Sequence, residues 1–324
     1  MDLELMRHRE LREKRLKEIR ERHRPRGMPS PARFGIRTDE ETGAASNAVE
    51  TPSDAFQEQA ICRVPLRTEL EPVPKRDEEE QTGAIQAAGG GASGVKLIAT
   101  SDCHGKLNGI HDEIAAYAPD IAVFAGDIAP STPWEQEKFM QGEFCQLCKA
   151  HPNVEFVLIP GNHDFYAAEW QNAISYGKQP FGNTNLHFLC DTAETIRGIR
   201  FHGTPWCPYI NGRWVYECRG AGDEHYRYGM IRECDVLIAH SPPFMGREAV
   251  DQSVLPDGRL TRHFGSIALA LAIRQARPRL TICGHIHTGC HEPQTFIQTG
   301  GIVANVSRVN EEYNVAYRMT RFAL

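Results

Sequence analysis

Five short apolar runs, each ending in polar residues, constrain the fold of this chain more than any other feature of its sequence. The runs span 95–100, 121–125, 154–159, 235–239 and 280–283, and the residues that follow them are Asp102 with His104, Asp127, Asn162 with His163 and Asp164, His240, and His285 with His287. Short apolar runs of this kind are typical of strands buried on both faces of a parallel sheet.

Helical patterns lie between the apolar runs, near 110–117, over 134–150 and over 266–275. Because strands alternate with helices, we predict an α/β protein. Further strands are predicted at 187–189 and 196–202, and segments 301–309 and 313–321 are predicted to form a closing hairpin.

The polar residues stand at the carboxyl ends of the predicted strands, where α/β sheets bind ligands. Excluding Asp164, they provide two carboxylates, one amide and five imidazoles. Imidazole nitrogen suits transition metals, and carboxylate oxygen suits harder cations. Because the set is larger than one ion needs, it predicts two metal ions with a bridging carboxylate. Two such ions can hold an attacking and a leaving oxygen during displacement at phosphorus.

Each motif by itself is weak evidence, since Asp-x-His and Gly-Asp are common by chance. Their order is more specific: Asp-x-His, Gly-Asp, Gly-Asn-His-Asp, His and Gly-His-x-His, each after an apolar run. This order resembles the calcineurin-like metallophosphoesterase superfamily over residues 95 to about 310. Finer features resemble its MPPED-type, UPF0046-like branch, namely the segments 124–127, 203–206, 240–243, 277–280 and 305–307.

The resemblance implies a four-layer α/β/β/α sandwich with a dinuclear metal site at the strand ends. It implies two divalent or mixed-valence ions of the Mn, Fe or Zn type. It also assigns their ligands: Asp102, His104 and His287 for one ion, Asn162, His240 and His285 for the second, and Asp127 as the bridge. In this pattern a hydroxide bridging the metals attacks phosphorus, His163 protonates the leaving group, and Asp164 orients or supports His163.

We therefore expect a metal-dependent hydrolase of phosphoric esters, and the branch favours a phosphodiesterase acting on a cyclic nucleotide or another small diester. The alternatives are a phosphomonoesterase or nuclease on the same site, and a non-catalytic metal-binding scaffold. A scaffold would be expected to have lost a ligand or the catalytic histidine, and none is missing. Four aromatic residues of one loop region are interpreted either as a base-stacking surface or as ordinary core or lid residues: Trp206, Tyr209, Trp214 and Tyr216.

The first 94 residues have a different composition from the rest. Residues 1–27 carry ten Lys or Arg against six Asp or Glu, with apolar positions at helical spacing. They predict a charged helix or arm, which is either solvated or contacts a partner, an anionic surface or a second subunit. Residues 28–94 predict a polar, acidic linker containing Gly and Pro, mostly disordered. The catalytic domain is expected to span 95–324.

The lack of an evident targeting signal and the usage of cysteine together favour a cytoplasmic protein. No apolar run approaches the ~20 residues of a membrane span, and secretory or transit patterns are not evident. The ten cysteines are therefore expected to be reduced, and Cys145-x-x-Cys148 is interpreted as helix packing rather than a zinc site. From Gln81 on, the chain has 20 basic and 24 acidic residues. This slightly acidic balance disfavours nucleic acid as an obligate partner, so the expected substrate is a small phosphate ester.

Overall fold

The computed structural model of the protein describes residues 85–86, 94–175, 185–246, 250–253 and 261–324. The predicted N-terminal arm and nearly all of the predicted linker lie outside these residues. Two residues of the linker, Ile85 and Gln86, form a short strand that pairs in parallel with Phe322 and Ala323.

Twelve strands are present in the described residues. In chain order they are β1 Ile85–Gln86, β2 Lys96–Thr100, β3 Ile121–Ala125, β4 Glu155–Ile159, β5 Leu186–Phe188, β6 Thr192–Ile196, β7 Ile199–Thr204, β8 Val236–Ala239, β9 Leu280–Cys283, β10 Gln294–Phe296, β11 Gly301–Asn305 and β12 Thr320–Ala323. They form two six-stranded sheets, ordered β1-β12-β2-β3-β4-β5 and β10-β11-β9-β8-β7-β6.

Helices connect the strands. They are α1 Ile110–Tyr117, α2 Pro133–Phe139, a π-helical turn Met140–Phe144, α3 Cys145–Ala150, α4 Ala167–Ser175, α5 Ala221–Tyr228 and α6 Ile267–Ala276. Helix α6 begins with the side chain of Ser266 accepting a hydrogen bond from the amide of Leu269, which is a standard N-cap. The helix predicted over 134–150 is continuous, since α2, the π-helical turn and α3 follow one another without a gap. Helices α4 and α5 were missed by the sequence pattern.

Alternation along the strands creates the layers of the sandwich. In β2, Leu97 and Ala99 belong to an apolar cluster that also contains Phe201 of the second sheet. The intervening Ile98 belongs to another cluster, together with Ile114 of α1. Because successive strand residues point to opposite faces, each sheet packs on its partner sheet with one face and on helices with the other. This is the predicted four-layer α/β/β/α sandwich.

Parallel pairing brings the strand ends to common edges. Strands β2, β3 and β4 are mutually parallel in the first sheet, and β8 and β9 are parallel in the second. The two sheets meet just beyond these ends, where the amide of Ser101 donates to Val306 (2.9 Å) and that of Arg308 donates to Ser101 (2.9 Å). The loops after five strands therefore converge on one region.

Two strand predictions were correct only in part. The single strand at 196–202 is a hairpin of β6 and β7, which turns at Arg197 (φ 52°) and Gly198 (φ 81°). Positive φ at both central residues is typical of a type I′ turn, and the Arg-Gly pair is a weak signal for it. The closing hairpin predicted from 301–309 and 313–321 forms only at its tip, where Val309 and Val315 make an antiparallel bridge. Beyond the tip the two segments separate, because β11 pairs with β9 and β10 whereas β12 pairs with β2 in the other sheet.

A search of the described helices finds none with the length and apolar character needed to cross a membrane.

Candidate metal centre

The residues after the parallel strands turn sharply out of the sheets. Four of them adopt left-handed backbone conformations: Asp102 (φ 52°), His104 (φ 46°), Asp127 (φ 52°) and His285 (φ 69°). Such conformations are uncommon for residues other than glycine and cluster at functional sites. Here they direct four predicted ligands into the same space within two to four residues of a strand end.

Three glycines of the motifs lie where a side chain would collide with a predicted ligand. A Cβ on Gly126 would lie 2.4 Å from Nδ1 of His240, and one on Gly161 would lie 2.3 Å from Oδ1 of Asp127. A Cβ on Gly284 would lie 2.3 Å from Oδ2 of Asp102. The glycine in each motif therefore makes room for a ligand that comes from a different strand.

Asp127 lies at the centre of the cluster and is almost fully buried. Its Oδ1 accepts a hydrogen bond from the amide of His163 (2.7 Å). Its Oδ2 lies 3.5 Å from Nε2 of His240, 3.9 Å from Nε2 of His163 and 4.0 Å from Nε2 of His104. Burial alone raises the pKa of Asp127, but His240 and His163 lower it, and the resulting pKa is well below its ordinary value. Asp127 therefore stays ionised among several imidazoles.

The two carboxylate oxygens of Asp102 differ in their hydrogen bonding. Oδ2 accepts hydrogen bonds from the hydroxyls of Ser101 (2.6 Å) and Ser307 (2.8 Å) and from the amide of His285 (2.9 Å). Oδ1 is buried and has no hydrogen-bond partner in the described part of the chain. It lies 3.5 Å from Nε2 of His287. A buried anionic oxygen without a donor requires a cation, so Oδ1 fits a metal ligand.

His240 is fully buried and its tautomer follows from its contacts. Its Nδ1 lies 3.0 Å from the carbonyl of Ala125 and must donate to it. In neutral His240, Nε2 then carries a lone pair, yet it faces Oδ1 of Asn162 at 2.9 Å. Burial lowers the pKa of His240, but Asp127 raises it to about 9. Two acceptor atoms at this distance repel each other unless a proton or a metal ion lies between Nε2 of His240 and Oδ1 of Asn162.

The other predicted ligands are imidazoles that also lie close to one another. The Nε2 atoms of His104 and His287 lie 3.3 Å apart, and the His285 ring lies 5.1 Å from the His240 ring. Burial and His240 lower the pKa of His285 to about 3, so its ring is neutral and able to bind a metal. Three groups in the described residues have ligand atoms that lie within 4.8 Å of one another. They are Asp102–His104–His287, His104–Asp127–His163 and Asp102–Asp127–His240.

His163 and Asp164 have different surroundings from those of the other site residues. Nδ1 of His163 is buried without a hydrogen-bond partner in the described residues. Its ring packs on the indole of Trp214, with centroids 4.2 Å apart. Within the described structure Asp164 makes no hydrogen bond to the His163 ring. Its carboxylate accepts hydrogen bonds from the amides of Gly161 (2.8 Å), Ala129 (3.2 Å) and Ile128 (3.4 Å). Asp164, which is predicted to orient or support His163, thus contacts the backbone of the loop that carries His163 and the backbone of the loop after β3.

A cleft of about 280 Å³ opens over the cluster. Its lining includes Asp127, Asn162, His163, Ile210, Trp214, Ser253, Phe264, His285, Ile286, His287, Glu311 and Tyr313. The Tyr313 ring lies 4.7 Å from that of His104 and 5.1 Å from that of His287. Tyr313 and Phe264 could not be predicted from the sequence, since neither follows an apolar run and only the fold brings them here.

Of the four aromatic residues predicted either to stack on a base or to belong to the core, only Trp214 lines the cleft. Trp206 and Tyr216 are buried in the core, and Tyr209 is exposed. Cys145 and Cys148 are buried in the apolar core around α2 and α3. This burial is consistent with the interpretation of the Cys-x-x-Cys pair as helix packing.

The fold and the cluster together define a class of metal-dependent hydrolase. A family model described as calcineurin-like phosphoesterase matches residues 95–289, and the chain belongs to that family. It is therefore a metallophosphoesterase, a hydrolase acting on phosphoric ester bonds, and divalent metals are its cofactors.

Named relatives agree with the branch that the motifs indicated. The chain is 26% identical over 241 residues to metallophosphoesterase domain-containing protein 1 of Homo sapiens, covering 67% of this chain and 69% of that protein. It is 24% identical over 202 residues to a UPF0046 protein of Caenorhabditis elegans, covering 60% of this chain and 63% of that protein. A crystal structure with 16% identity superposes with a TM-score of 0.50, covering 71% of this chain and all of that one. That structure supports the fold alone.

Proposed function

We propose that this metallophosphoesterase is a phosphodiesterase that hydrolyses small diesters, with cyclic nucleotides as the first class to try. The observation that carries the proposal is the chemistry of the cleft. Its described lining contains the aromatic residues Trp214, Phe264 and Tyr313 and, besides the proposed metal ligand Asp127, one carboxylate, Glu311, but no Lys or Arg. A phosphomonoester dianion is commonly held by Arg or Lys, whereas a diester carries one charge and two organic groups that suit apolar and aromatic walls.

For the metal ligands we propose the arrangement that the family resemblance implies. Asp102, His104 and His287 hold one ion, Asn162, His240 and His285 hold the second, and Asp127 bridges them. The unsatisfied Oδ1 of Asp102, the facing Nε2 of His240 and Oδ1 of Asn162, and the closely spaced nitrogens of His104 and His287 support this assignment. Imidazole mixed with carboxylate oxygen suits Mn, Fe or Zn.

When bound, the two divalent ions supply an activated water and offset negative charge on the phosphoryl oxygens. The chain itself positions the ester and handles the proton. We propose that His163, at the mouth of the cluster, donates a proton to the leaving oxygen. The Asp127 carboxylate accepts a hydrogen bond from the His163 amide. The Asp164 carboxylate accepts one from the Gly161 amide and so stabilises the same loop. Asp164 thus supports His163 through the backbone.

The test is a comparison of esters on the full chain supplied with Mn²⁺. Bis-p-nitrophenyl phosphate should be hydrolysed with a higher kcat/KM than p-nitrophenyl phosphate, and a chelator should abolish both activities. The cyclic nucleotides are then compared under the same conditions. A preference for the monoester would contradict the diesterase proposal, and loss of all metal-dependent turnover would favour a metal-binding scaffold.

The remaining proposals concern organisation and location. We propose residues 95–324 as the catalytic domain, since the family match begins at residue 95. We propose the cytoplasm as the compartment because eight of the nine described cysteines are free and buried, and the ninth is free. Residues 1–27 remain a proposed contact arm. Fractionation of cells and thiol titration of the unfolded chain test the compartment.

A further inference from the structure

The carboxylate of Glu217 is enclosed by four backbone amides of one loop. Its Oε1 accepts hydrogen bonds from Ile210 (2.5 Å), Asn211 (2.6 Å) and Gly212 (2.7 Å), and its Oε2 accepts one from Trp214 (3.2 Å). The residue is only 7% exposed. Hydrogen bonds to an ionised acceptor are about twice as strong as neutral ones, so this carboxylate organises loop 210–214 around itself.

The backbone of Glu217 is anchored independently of that loop. Glu217 forms an isolated parallel bridge with Cys207, and the neighbouring Cys218 amide donates to the Cys207 carbonyl at 2.9 Å. Cys207 lies shortly after β7 and is fully buried. The carboxylate is therefore held in place from the core side, and the loop closes over it.

Both ends of the loop reach the cleft above the metal centre. Ile210 and Trp214 line that cleft, and the Trp214 indole lies 4.2 Å from the His163 ring. Gly212 (φ 73°) provides the left-handed residue at which the loop turns back. A shift of this loop would therefore move the wall beside His163.

We propose that Glu217 is a positioning residue of the hydrolase, because its carboxylate holds loop 210–214 closed and the Trp214 indole against His163. The wall formed in this way lies beside the leaving group of the ester. This inference rests on the proposed function, in which His163 serves the leaving oxygen. Glu217 itself is not among the residues lining the cleft, so its effect on substrate passes through Trp214 and Ile210.

A second carboxylate in the same region is a matched control. Asp191 accepts hydrogen bonds from the Thr204 hydroxyl (3.0 Å) and from the Trp206 indole (2.7 Å). It therefore also holds a tryptophan, but Trp206 is 4% exposed and does not line the cleft. Asp191→Asn should alter folding stability without altering substrate binding.

The first experiment measures the position of Trp214 without using activity. In Glu217→Gln an amide group replaces one acceptor oxygen, so at least one of the four backbone amides faces a donor. Acrylamide quenching of tryptophan fluorescence should increase in Glu217→Gln relative to the wild type. The same change in a Trp214→Phe background should give no increase. An increase that persists in that background, or no increase at all, would overturn the proposal.

The second experiment measures kinetics on bis-p-nitrophenyl phosphate with Mn²⁺. Glu217→Gln should raise KM roughly tenfold, since small displacements of positioning groups have effects of this size or larger. Metal content should stay at the wild-type level, and Asp191→Asn should leave KM unchanged. A purely structural role would lower the folded fraction and apparent kcat with KM unchanged, and that result would refute the assignment.

The two experiments separate failure of this inference from failure of the proposed function. If the wild type hydrolyses neither diester nor monoester, the proposed function fails, and the quenching result alone decides whether Glu217 holds Trp214. If the wild type is active and Glu217→Gln behaves as Asp191→Asn does, only the role of Glu217 is refuted.

Discussion

Oδ2 of Asp127 and Nε2 of His240 lie 3.5 Å apart, although they follow strands of different sheets. The other ring nitrogen of His240 donates to the carbonyl of Ala125, which lies two residues before Asp127. The segment ending at Asp127 thus fixes both the tautomer and the direction of the His240 ring. The same arrangement, a histidine oriented by a backbone carbonyl through its second nitrogen, is usual for metal ligands.

Replacing Asp127 with Asn should empty both metal positions. The substitution removes the charge of the oxygen that lies near three imidazoles, and the proposed bridge is lost with it. Metal content after gel filtration should fall by more than the roughly 10–100-fold effect typical of outer-shell partners. Asp112→Asn, at an exposed position of α1, is the control and should retain full metal content. An Asp127→Asn protein with full metal and activity would refute the bridging role.

Replacing His163 with Ala should preserve metal binding and reduce turnover. His163 is proposed to supply a proton rather than to hold an ion, and general acid catalysis contributes about 10²–10⁴-fold. The loss should be greatest for alkyl esters, whose leaving groups need protonation most, and smaller for p-nitrophenyl esters. Metal analysis is made on the same sample, because concurrent loss of metal would mean that His163 is a ligand.

Replacing Gly161 with Ala should destabilise the site. The added Cβ would lie 2.3 Å from Oδ1 and 2.5 Å from the amide nitrogen of Asp127, and overpacking typically costs about 1–3 kcal/mol. Gly142→Ala is the matched control: its Cβ would meet nothing within 4 Å, and it should stabilise by about 0.4–1 kcal/mol. Urea unfolding and metal affinity are measured for both. Equal stability of the two variants would show that Gly161 is not required for close approach.

Replacing His202 with Leu should weaken the loss of stability in acid. His202 is 2% exposed, and neither ring nitrogen has a hydrogen-bond partner among the described residues. Burial and the charges of Arg232 and Arg200 lower its pKa to about 4. The folded state therefore binds a proton less readily than the unfolded chain does, so stability is complete above the unfolded pKa near 6.5 and falls as the pH drops towards 4.

The measurement for His202 is the urea unfolding free energy at pH 7 and pH 5. From the shift in pKa, His202 should account for about 2 kcal/mol of the difference. His202→Leu should remove this part while leaving the contributions of other groups unchanged. An unchanged difference between the two pH values would show that His202 does not titrate on unfolding.

The proximity of the residues of the candidate metal centre was largely predictable because these residues directly follow strand ends. Asp102, Asp127 and Asn162 follow buried parallel strands within three residues, and parallel strands bring their carboxyl ends together. The interpretation needed only the apolar runs and the motifs. By contrast, Asp164 was expected to orient or support His163, and the sequence did not indicate that its carboxylate would contact backbone amides of two loops. Such contacts depend on loop geometry that no local pattern encodes.

The errors in the fold have the same origin. Segments 301–309 and 313–321 both read as strands, and two neighbouring strands most often form a hairpin. In the structure β11 and β12 enter different sheets, since β11 lies between β10 and β9, which precede it directly, whereas β12 pairs with β2 from the far end of the domain. The hairpin of β6 and β7 was missed because Arg197-Gly198 takes positive φ angles without the usual Asn-Gly or Asp-Gly pair.

The class of fold and the order of the candidate ligand motifs could be read from the sequence alone. These follow from local hydrophobic patterning and from short spacings, which persist wherever the segment is placed. Only the tertiary structure decided that Trp214, and not Trp206, faces the cleft, and that Glu217 holds its loop. Both tryptophans lie in the segment between β7 and α5, and their roles differ because burial is set by what packs against them.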